Sequence, residues 1–352
     1  MERVSKSVIP YAHLSYEEQL EKKQKDALQV LRKYGSDLAH INPELAKFIS
    51  FQKMRRKGQV CEVDDIVPSP VIDNYRNKCE FTIGVNPENG LPTVGFRTAS
   101  YKEGSMHVAP VGHLRHPLQV NTAAAEVLYD KIGSLAKLDS SSVLLDICCG
   151  TGTIGISLAD RCHKVYGVEI VEKAADDAKY NAKENGLENV AVFTGKAEEN
   201  MPFLMQHCTK ANTVGIVDPP RAGLNNSVVF GLRKCETMKR LVFVSCDPSN
   251  AIRNFISLAR PQSKQYKGEF FIPVRAVPID LFPHTPHFEL VILFERWDEQ
   301  RWKRIMEGNP LPQDEEYFKH LPDKPNFSGN DSQKDKRAPD EEEEPRKKIK
   351  PE

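Results

Sequence analysis

Three short segments carry residues suited to covalent chemistry on a carbon centre. Val244-Ser245-Cys246-Asp247-Pro248 ends an apolar run with a cysteine. Asp218-Pro219-Pro220-Arg221-Ala222-Gly223 follows a second apolar run. Asp280-Leu281-Phe282-Pro283-His284-Thr285-Pro286-His287-Phe288-Glu289 brings a carboxylate to the start of a third. A thiolate is a strong nucleophile, and a carboxylate can serve as a proton acceptor. The pair suits substitution at C5 of a uracil ring, a carbon too weakly nucleophilic to react unaided. Addition of the Cys246 thiolate to C6 would make an enolate whose C5 attacks an electrophilic methyl group. Glu289 would then take the C5 proton, so that elimination frees the cysteine. The fourth position of the Asp218 segment bears on the class of reaction. Amine methylation of a base favours an aromatic there and cytosine-C5 methylation a cysteine, whereas this chain has Arg221.

A methyl donor needs a site of its own. Val143-Leu144-Leu145-Asp146-Ile147-Cys148-Cys149-Gly150-Thr151-Gly152-Thr153-Ile154-Gly155 reads as a strand, a glycine turn and a helix. Glycines at 150, 152 and 155 satisfy G-x-G-x-x-G, a pattern shared with nicotinamide enzymes, so a dinucleotide stays open on that motif alone. Asp146 before the turn suits a cationic amino-acid moiety better than a pyrophosphate. Glu169, closing Val165-Tyr166-Gly167-Val168-Glu169, suits ribose hydroxyls. These acids favour S-adenosyl-L-methionine.

The elements that must hold these groups are legible as a pattern. Short apolar runs at Val143–Ile147, Lys164–Val168, Val190–Phe193, Val214–Val217, Leu241–Val244 and Phe288–Phe294 alternate with helical segments. Such alternation predicts a doubly wound α/β domain with a parallel sheet covered on both faces. Ligands in such sheets bind beyond the carboxyl ends of the strands, where the motifs fall. Upstream, Ser15-Tyr16-Glu17-Glu18 is a capping box. Leu20, Ala27, Leu28, Leu31 and Tyr34 follow at helical spacing, as in a packing helix without chemistry. Lys78–Val85 and Thr93–Arg97 read as two strands around the turn Asn86–Gly90. Basic Lys53–Lys57 opens that region, but acids nearly balance it, so a solvated face and an RNA surface are equally good readings.

The totals set limits. The 352 residues are 39% hydrophobic with formal net charge +0, so a core is possible and any nucleic-acid surface must be local. Eight cysteines without C-x-x-C spacing, and no apolar run long enough to span a bilayer, predict an intracellular chain, cytoplasmic or nuclear, without metal or membrane. His284 and His287 have H-x-x-H spacing but lie among prolines with no third ligand, which favours substrate-lining or structural roles over zinc. Trp297 and Trp302 read as packing groups. From Pro322 onward the composition predicts disorder. Its basic clusters Lys334–Arg337 and Arg346–Lys350 suit either nuclear import or a solvated tail.

Taken together, Gln119-Val120-Asn121, the Asp146–Gly152 loop, Gly167-Val168-Glu169, the Asp218–Gly223 segment, Ser245-Cys246-Asp247-Pro248 and Asp280–Glu289 resemble the RNA 5-methyluridine (uracil-C5) methyltransferase family, and within it the eukaryotic tRNA enzymes. The likeness covers residues 8–296 and includes Tyr75–Phe81. It implies a class-I Rossmann-like methyltransferase domain, S-adenosyl-L-methionine as methyl donor and a flipped-out T-loop uridine of tRNA as substrate. It implies Cys246 as nucleophile and Glu289 as proton acceptor. Gln119, Cys148, Thr153, Glu169 and Asp218 would bind the cofactor, with Arg221 and His284 at the substrate. The implied organisation is an N-terminal helical segment (1–50), a partial β-rich central region (51–117), the catalytic domain (118–298), a helical extension (299–321) and a charged tail (322–352).

Two departures matter. Family members carry Asn after the nucleophile, and the charge of Asp247 would disfavour a thiolate. The family also separates its Tyr-Arg-Asn-Lys region from Gln-Val-Asn by a much longer segment. A catalytically silent RNA-binding or S-adenosylmethionine-binding protein is therefore the alternative.

Overall fold

Val143–Ile147 (β5) and Thr213–Val217 (β8) are buried at every position, so both faces of each strand must be covered. The alternation along β5 shows how. Val143, Leu145 and Ile147 join one apolar cluster, and Leu144 joins another on the opposite face. The computed structural model describes residues 9–75, 82–85, 89, 91–97, 108–110, 121–208, 212–312 and 314. Gln119, most of the Tyr75–Phe81 motif and the 322–352 tail with its basic clusters lie outside these residues.

β5 and β8 sit in the middle of an eight-stranded sheet. On one side β5 pairs in parallel with Lys164–Glu169 (β6), which pairs with Val190–Thr194 (β7). On the other, β8 pairs in parallel with Met238–Ser245 (β9). The expectation of an all-parallel sheet is corrected beyond β9. Glu289–Arg296 (β11) runs antiparallel to β9 and to Phe271–Ile279 (β10), because the chain turns straight back through 280–288 instead of crossing over by a helix. Beyond β10 lie the two-residue Glu62–Val63 (β1), in parallel, and a single bridge from Val67 to Ile279. The sequence reading passed over β10, which contains Pro273 and Pro278. Prolines mark edges and bulges, and a register shift does fall between Pro273 and Arg275.

Helices cover both faces. Thr122–Ala136 (α3) and Thr153–Ser157 (α4) supply Leu128, Ile132 and Ile154 to one cluster. Tyr16–Ile41 (α1), Ala46–Arg55 (α2), Asn226–Lys234 (α7) and Pro248–Ala259 (α8) supply the other. Glu172–Glu184 (α5) and Ala197–His207 (α6) follow β6 and β7, and Glu299–Met306 (α9) follows β11. The α1 capping box forms as its residues predict: Ser15 Oγ accepts from Glu18 N and Glu18 Oε2 accepts from Ser15 N. Its buried stripe is Gln19, Lys23, Ala27, Leu31, Tyr34 and Leu38, while Leu20 and Leu28 are half-buried. Tyr34 meets Phe255 of α8 edge-on at 5.6 Å and donates to the Phe255 carbonyl. Burying each such leucine contributes roughly 1.5–3 kcal/mol, so α1 is an integral part of the core. Trp302 packs edge-on against Phe48 at 4.8 Å and Trp297 stacks on Phe270. Separately, Thr82–Val85 (β2), Pro92–Arg97 (β3) and Val108–Pro110 (β4) form a three-stranded antiparallel sheet, with Thr82 opposite Gly95 and Gly95 opposite Pro110.

Candidate active site

Strand order collects the motifs on one rim. β6, β5, β8, β9 and β11 are neighbours in that order. Their ends deliver, in the same order, Glu169, Cys148, Asp218, Cys246 and Glu289. The last member reaches the rim only because β11 is antiparallel. It starts where the parallel strands end, and Leu290 pairs with Ser245.

The glycine loop forms one half. Gly150 and Gly152 take φ of 56° and 82°, and Cys148 itself is left-handed at 64°. A Cβ on Gly150 would meet nothing within 4 Å, so the loop faces open space. Glu169 organises the loop from β6: Oε2 accepts from Gly150 N at 2.9 Å and Oε1 from Val171 N at 2.8 Å. Each oxygen keeps a further lone pair for a ligand hydroxyl. Asp146 has a different role from the one its position suggests. It is 1% exposed, and Oδ2 accepts from Gly155 N at 2.9 Å, so it braces the loop from below and makes no wall of the site. Burial, reinforced by Asp218 and Glu169, outweighs that bond and pushes its carboxyl up to about 7. Asp218 keeps surface open to solvent, yet protein closes round its carboxyl at longer range, and this desolvation raises it to about 6. The Cys148 thiol is pushed up to about 12, by burial first and then by Glu169 and Asp218. Thr153 starts α4 and accepts a bond from Tyr129 of α3. Three acids around an open glycine loop favour a cationic ligand, and an aminoacyl nucleoside bearing a sulfonium fits that donor set.

The other half is a cleft of about 560 Å³ whose lining includes Cys246, Arg221, His287 and Phe288. Cys246 is half-buried. Burial and Glu289 raise its thiol, while a hydrogen bond and the positive charge of Arg221 pull it down. Glu289 is 7% exposed, and Oε2 bonds to no described residue. Burial, with Asp218 adding and Arg221 opposing, pushes its carboxyl up to about 8. The expected penalty from Asp247 is corrected. Its carboxylate caps α8, accepting from Asn250 N at 3.3 Å and Asn250 Nδ2 at 2.8 Å, and it is not among the charges that shift the thiol.

His284 is drawn away from this cleft. It sits at φ 66°, Nε2 meets Asp73 at 3.2 Å, and Nδ1 meets Gln19 at 3.2 Å. It is His287, exposed, that lines the cleft beside Cys246. The third wall is α1, through Asp26, Gln29, Val30 and Lys33. Sequence reasoning assigned α1 to packing alone. The missed signal was two polar residues, Gln19 and Lys23, on an otherwise apolar stripe. Both are 0% exposed, and Lys23 Nζ donates to Asp280 Oδ1 at 2.6 Å and to the Phe282 carbonyl at 3.0 Å. Burial pushes the Lys23 ammonium down, and Asp280 partly restores it.

Comparison with known proteins agrees with this geometry. The family tRNA (Uracil-5-)-methyltransferase matches residues 118–297. The chain is 31% identical to human tRNA (uracil-5-)-methyltransferase homolog A, covering 84% of this chain and 68% of the relative. It is also 31% identical to mouse tRNA (uracil-5-)-methyltransferase homolog B, covering 84% and 86%. The human alignment runs over 422 residues, more than this chain contains, so the relative carries positions without counterparts here. Among solved structures, the Pyrococcus abyssi tRNA (uracil-54, C5)-methyltransferase in complex with S-adenosyl-L-homocysteine is similar in fold. Its TM-score is 0.50 at 21% identity, covering 81% of this chain and 84% of that one.

Proposed function

The chain belongs to the tRNA (uracil-5-)-methyltransferase family, and from that premise we propose that it methylates C5 of uridine in tRNA, at the T-loop, using S-adenosyl-L-methionine. The observation that carries this reading is a cleft-lining cysteine with a buried carboxylate on the neighbouring strand, an arginine whose charge lowers both, and a glycine loop on the adjoining strands. A dehydrogenase would leave Cys246 and Glu289 without work.

The roles follow from chemistry. Arg221 stabilises the Cys246 thiolate, which adds to C6 of a uracil flipped into the cleft. The negative charge so created is delocalised onto the ring carbonyl and C5. Glu169, Cys148, Thr153, Asp218 and Gln119 would hold S-adenosyl-L-methionine, which would supply an electrophilic methyl group for that carbon to attack. Glu289 then accepts the C5 proton. Its elevated pKa makes it a stronger base than an ordinary carboxylate, and removing the proton lets the C6–sulfur bond break and regenerates Cys246. Lys33 and Gln29 on α1 face the RNA at the cleft mouth.

The test is a covalent trap. With tRNA carrying 5-fluorouridine and S-adenosyl-L-methionine, fluorine replaces the proton that Glu289 must remove, so the protein stays bonded to its RNA through a denaturing gel. The adduct should form with the unaltered chain and be lost in Cys246→Ala. A second reading, a silent RNA- or cofactor-binding protein, draws on the relative's unmatched positions. Folded, cofactor-binding protein that forms no adduct would establish that reading instead.

A further inference from the structure

The loop that delivers Glu289 is held from outside the domain that carries the chemistry. Residues 280–288 connect β10 to β11, and Ile279 pairs with Glu289 at the loop's base. Four consecutive carbonyls along this loop each accept a hydrogen bond from elsewhere. Leu281 O accepts from Asn121 Nδ2 at 3.2 Å, Phe282 O from Lys23 Nζ at 3.0 Å, Pro283 O from the Tyr75 hydroxyl at 2.8 Å, and His284 O from Tyr11 N at 2.9 Å. The loop's N–H groups are held in the same way. His284 N donates to Gln19 Oε1 at 2.7 Å, and Phe282 N donates to Asp280 Oδ1, the oxygen that also holds Lys23. Of these outside donors and acceptors, only Asn121 lies within the matched segment 118–297. Tyr11, Gln19, Lys23 and Tyr75 all precede it.

A loop as rich in proline as 280–288 has few backbone bonds of its own to make. Buried carbonyls must nonetheless find partners; Thr285 supplies two to Phe282 O from within the loop, Asn121 serves Leu281 O, and the N-terminal segment provides the rest named above. The Lys23–Asp280 pair, with both side chains 0% exposed, makes this docking all-or-none, because either charge left alone in the interior is strongly unfavourable.

We infer that the N-terminal segment is a clamp that positions Glu289 for proton removal, with Lys23, Gln19 and Tyr75 as its positioning residues. This rests on the reading of Glu289 as the proton acceptor. The clamp acts on one step. Addition of Cys246 to C6 and acceptance of the methyl group at C5 draw on β8, β9 and the glycine loop, whereas the hydrogen bonds of Lys23 and Gln19 go to the 280–288 loop and to the N-terminal segment itself. α1 reaches the Cys246 cleft further along, at Asp26, Gln29, Val30 and Lys33. Removal of the C5 proton needs the Glu289 carboxylate held at that hydrogen, and a displacement on the order of 1 Å can cost about 100-fold in rate.

The experiment compares the full chain with the double variant Lys23→Met/Asp280→Asn, which removes both buried charges together, and with the milder Tyr75→Phe. Three readouts are taken: cofactor affinity, adduct with 5-fluorouridine tRNA, and turnover on ordinary tRNA with the covalent species quantified on denaturing gels. In the double variant, affinity and the fluorinated adduct should stay within about two-fold, while turnover falls roughly 10–100-fold and a methylated adduct accumulates on ordinary uridine. Tyr75→Phe should show the same pattern more weakly. Unchanged turnover in both variants overturns the clamp, as does a loss of affinity in parallel with turnover. If the unaltered chain forms no fluorinated adduct, the functional reading falls, and the clamp's role falls with it.

Discussion

Glu289 stands beside Cys246 because Leu290 pairs with Ser245 across two antiparallel strands. Cys246 is the first residue past β9, and Glu289 is the first residue of β11. Glu289 thus raises the thiol of Cys246, and this influence can be measured.

The Cys246 thiol is raised by burial and Glu289 and lowered by Arg221. Arg221→Ala should therefore slow alkylation of Cys246 by iodoacetamide at neutral pH, by roughly tenfold for one pKa unit, and Glu289→Gln should speed it. Rates resolved by peptide mass spectrometry check both directions. Slower alkylation in Glu289→Gln would show that the carboxylate does not act on the thiol.

Glu289 must be ionised to accept a proton, and its carboxyl is pushed up to about 8. Single-turnover release of methylated tRNA from the covalent species should rise with pH through that value. Glu289→Gln should lose roughly 10²–10⁴-fold in turnover while still forming the adduct. A rising limb near pH 4.5 would remove Glu289 from the role.

The same shift has a stability consequence. The folded-state pKa of Glu289 lies above its unfolded value, so its contribution is fully present below about 4.5 and is lost as pH rises through about 8. Cofactor-free Glu289→Gln should melt close to the unaltered chain at pH 4.5 and above it at pH 8.5. Calorimetric melting across that window decides the sign.

A Cβ on Gly155 would lie 2.8 Å from Asp146 Oδ2 and 3.0 Å from Val165 Cγ1. Gly155→Ala should force Asp146 off its bond to the 155 amide, costing about 1–3 kcal/mol and weakening cofactor binding. Wild-type affinity and melting temperature in this variant would show that the brace is dispensable.

Lys33 lines the cleft mouth from α1. If it meets a phosphate, Lys33→Glu should weaken tRNA binding and reduce the salt dependence of log K by about 1, leaving cofactor affinity unchanged. An unaltered salt slope would place the RNA elsewhere.

Much of this was legible in the residues. The apolar runs located β5 through β9 and β11, because buried parallel strands are continuously hydrophobic and strand-end motifs fall at one rim. What escaped was set by long-range packing. Pro273 and Pro278 hid β10, whose outer side is met by a two-residue strand and by a bridge from Val67 to Ile279. Asp247 read only as a charge beside the thiol, but its carboxylate also caps α8 through Asn250. Lys23 and Gln19 looked like the polar margin of an amphipathic helix. Only the partner loop, more than two hundred residues downstream, explains their burial.

The place of β11 between β9 and β10 also orders events in time. Chains are synthesised from the N-terminus and gain structure as they emerge. By the time residue 246 has left the ribosome, every strand of the glycine-loop half and the nucleophile itself have been made. The acid follows only when the returning strand is complete and slips into a slot between two earlier ones. A nascent chain thus holds the whole glycine-loop half, and Cys246 with it, before it holds Glu289.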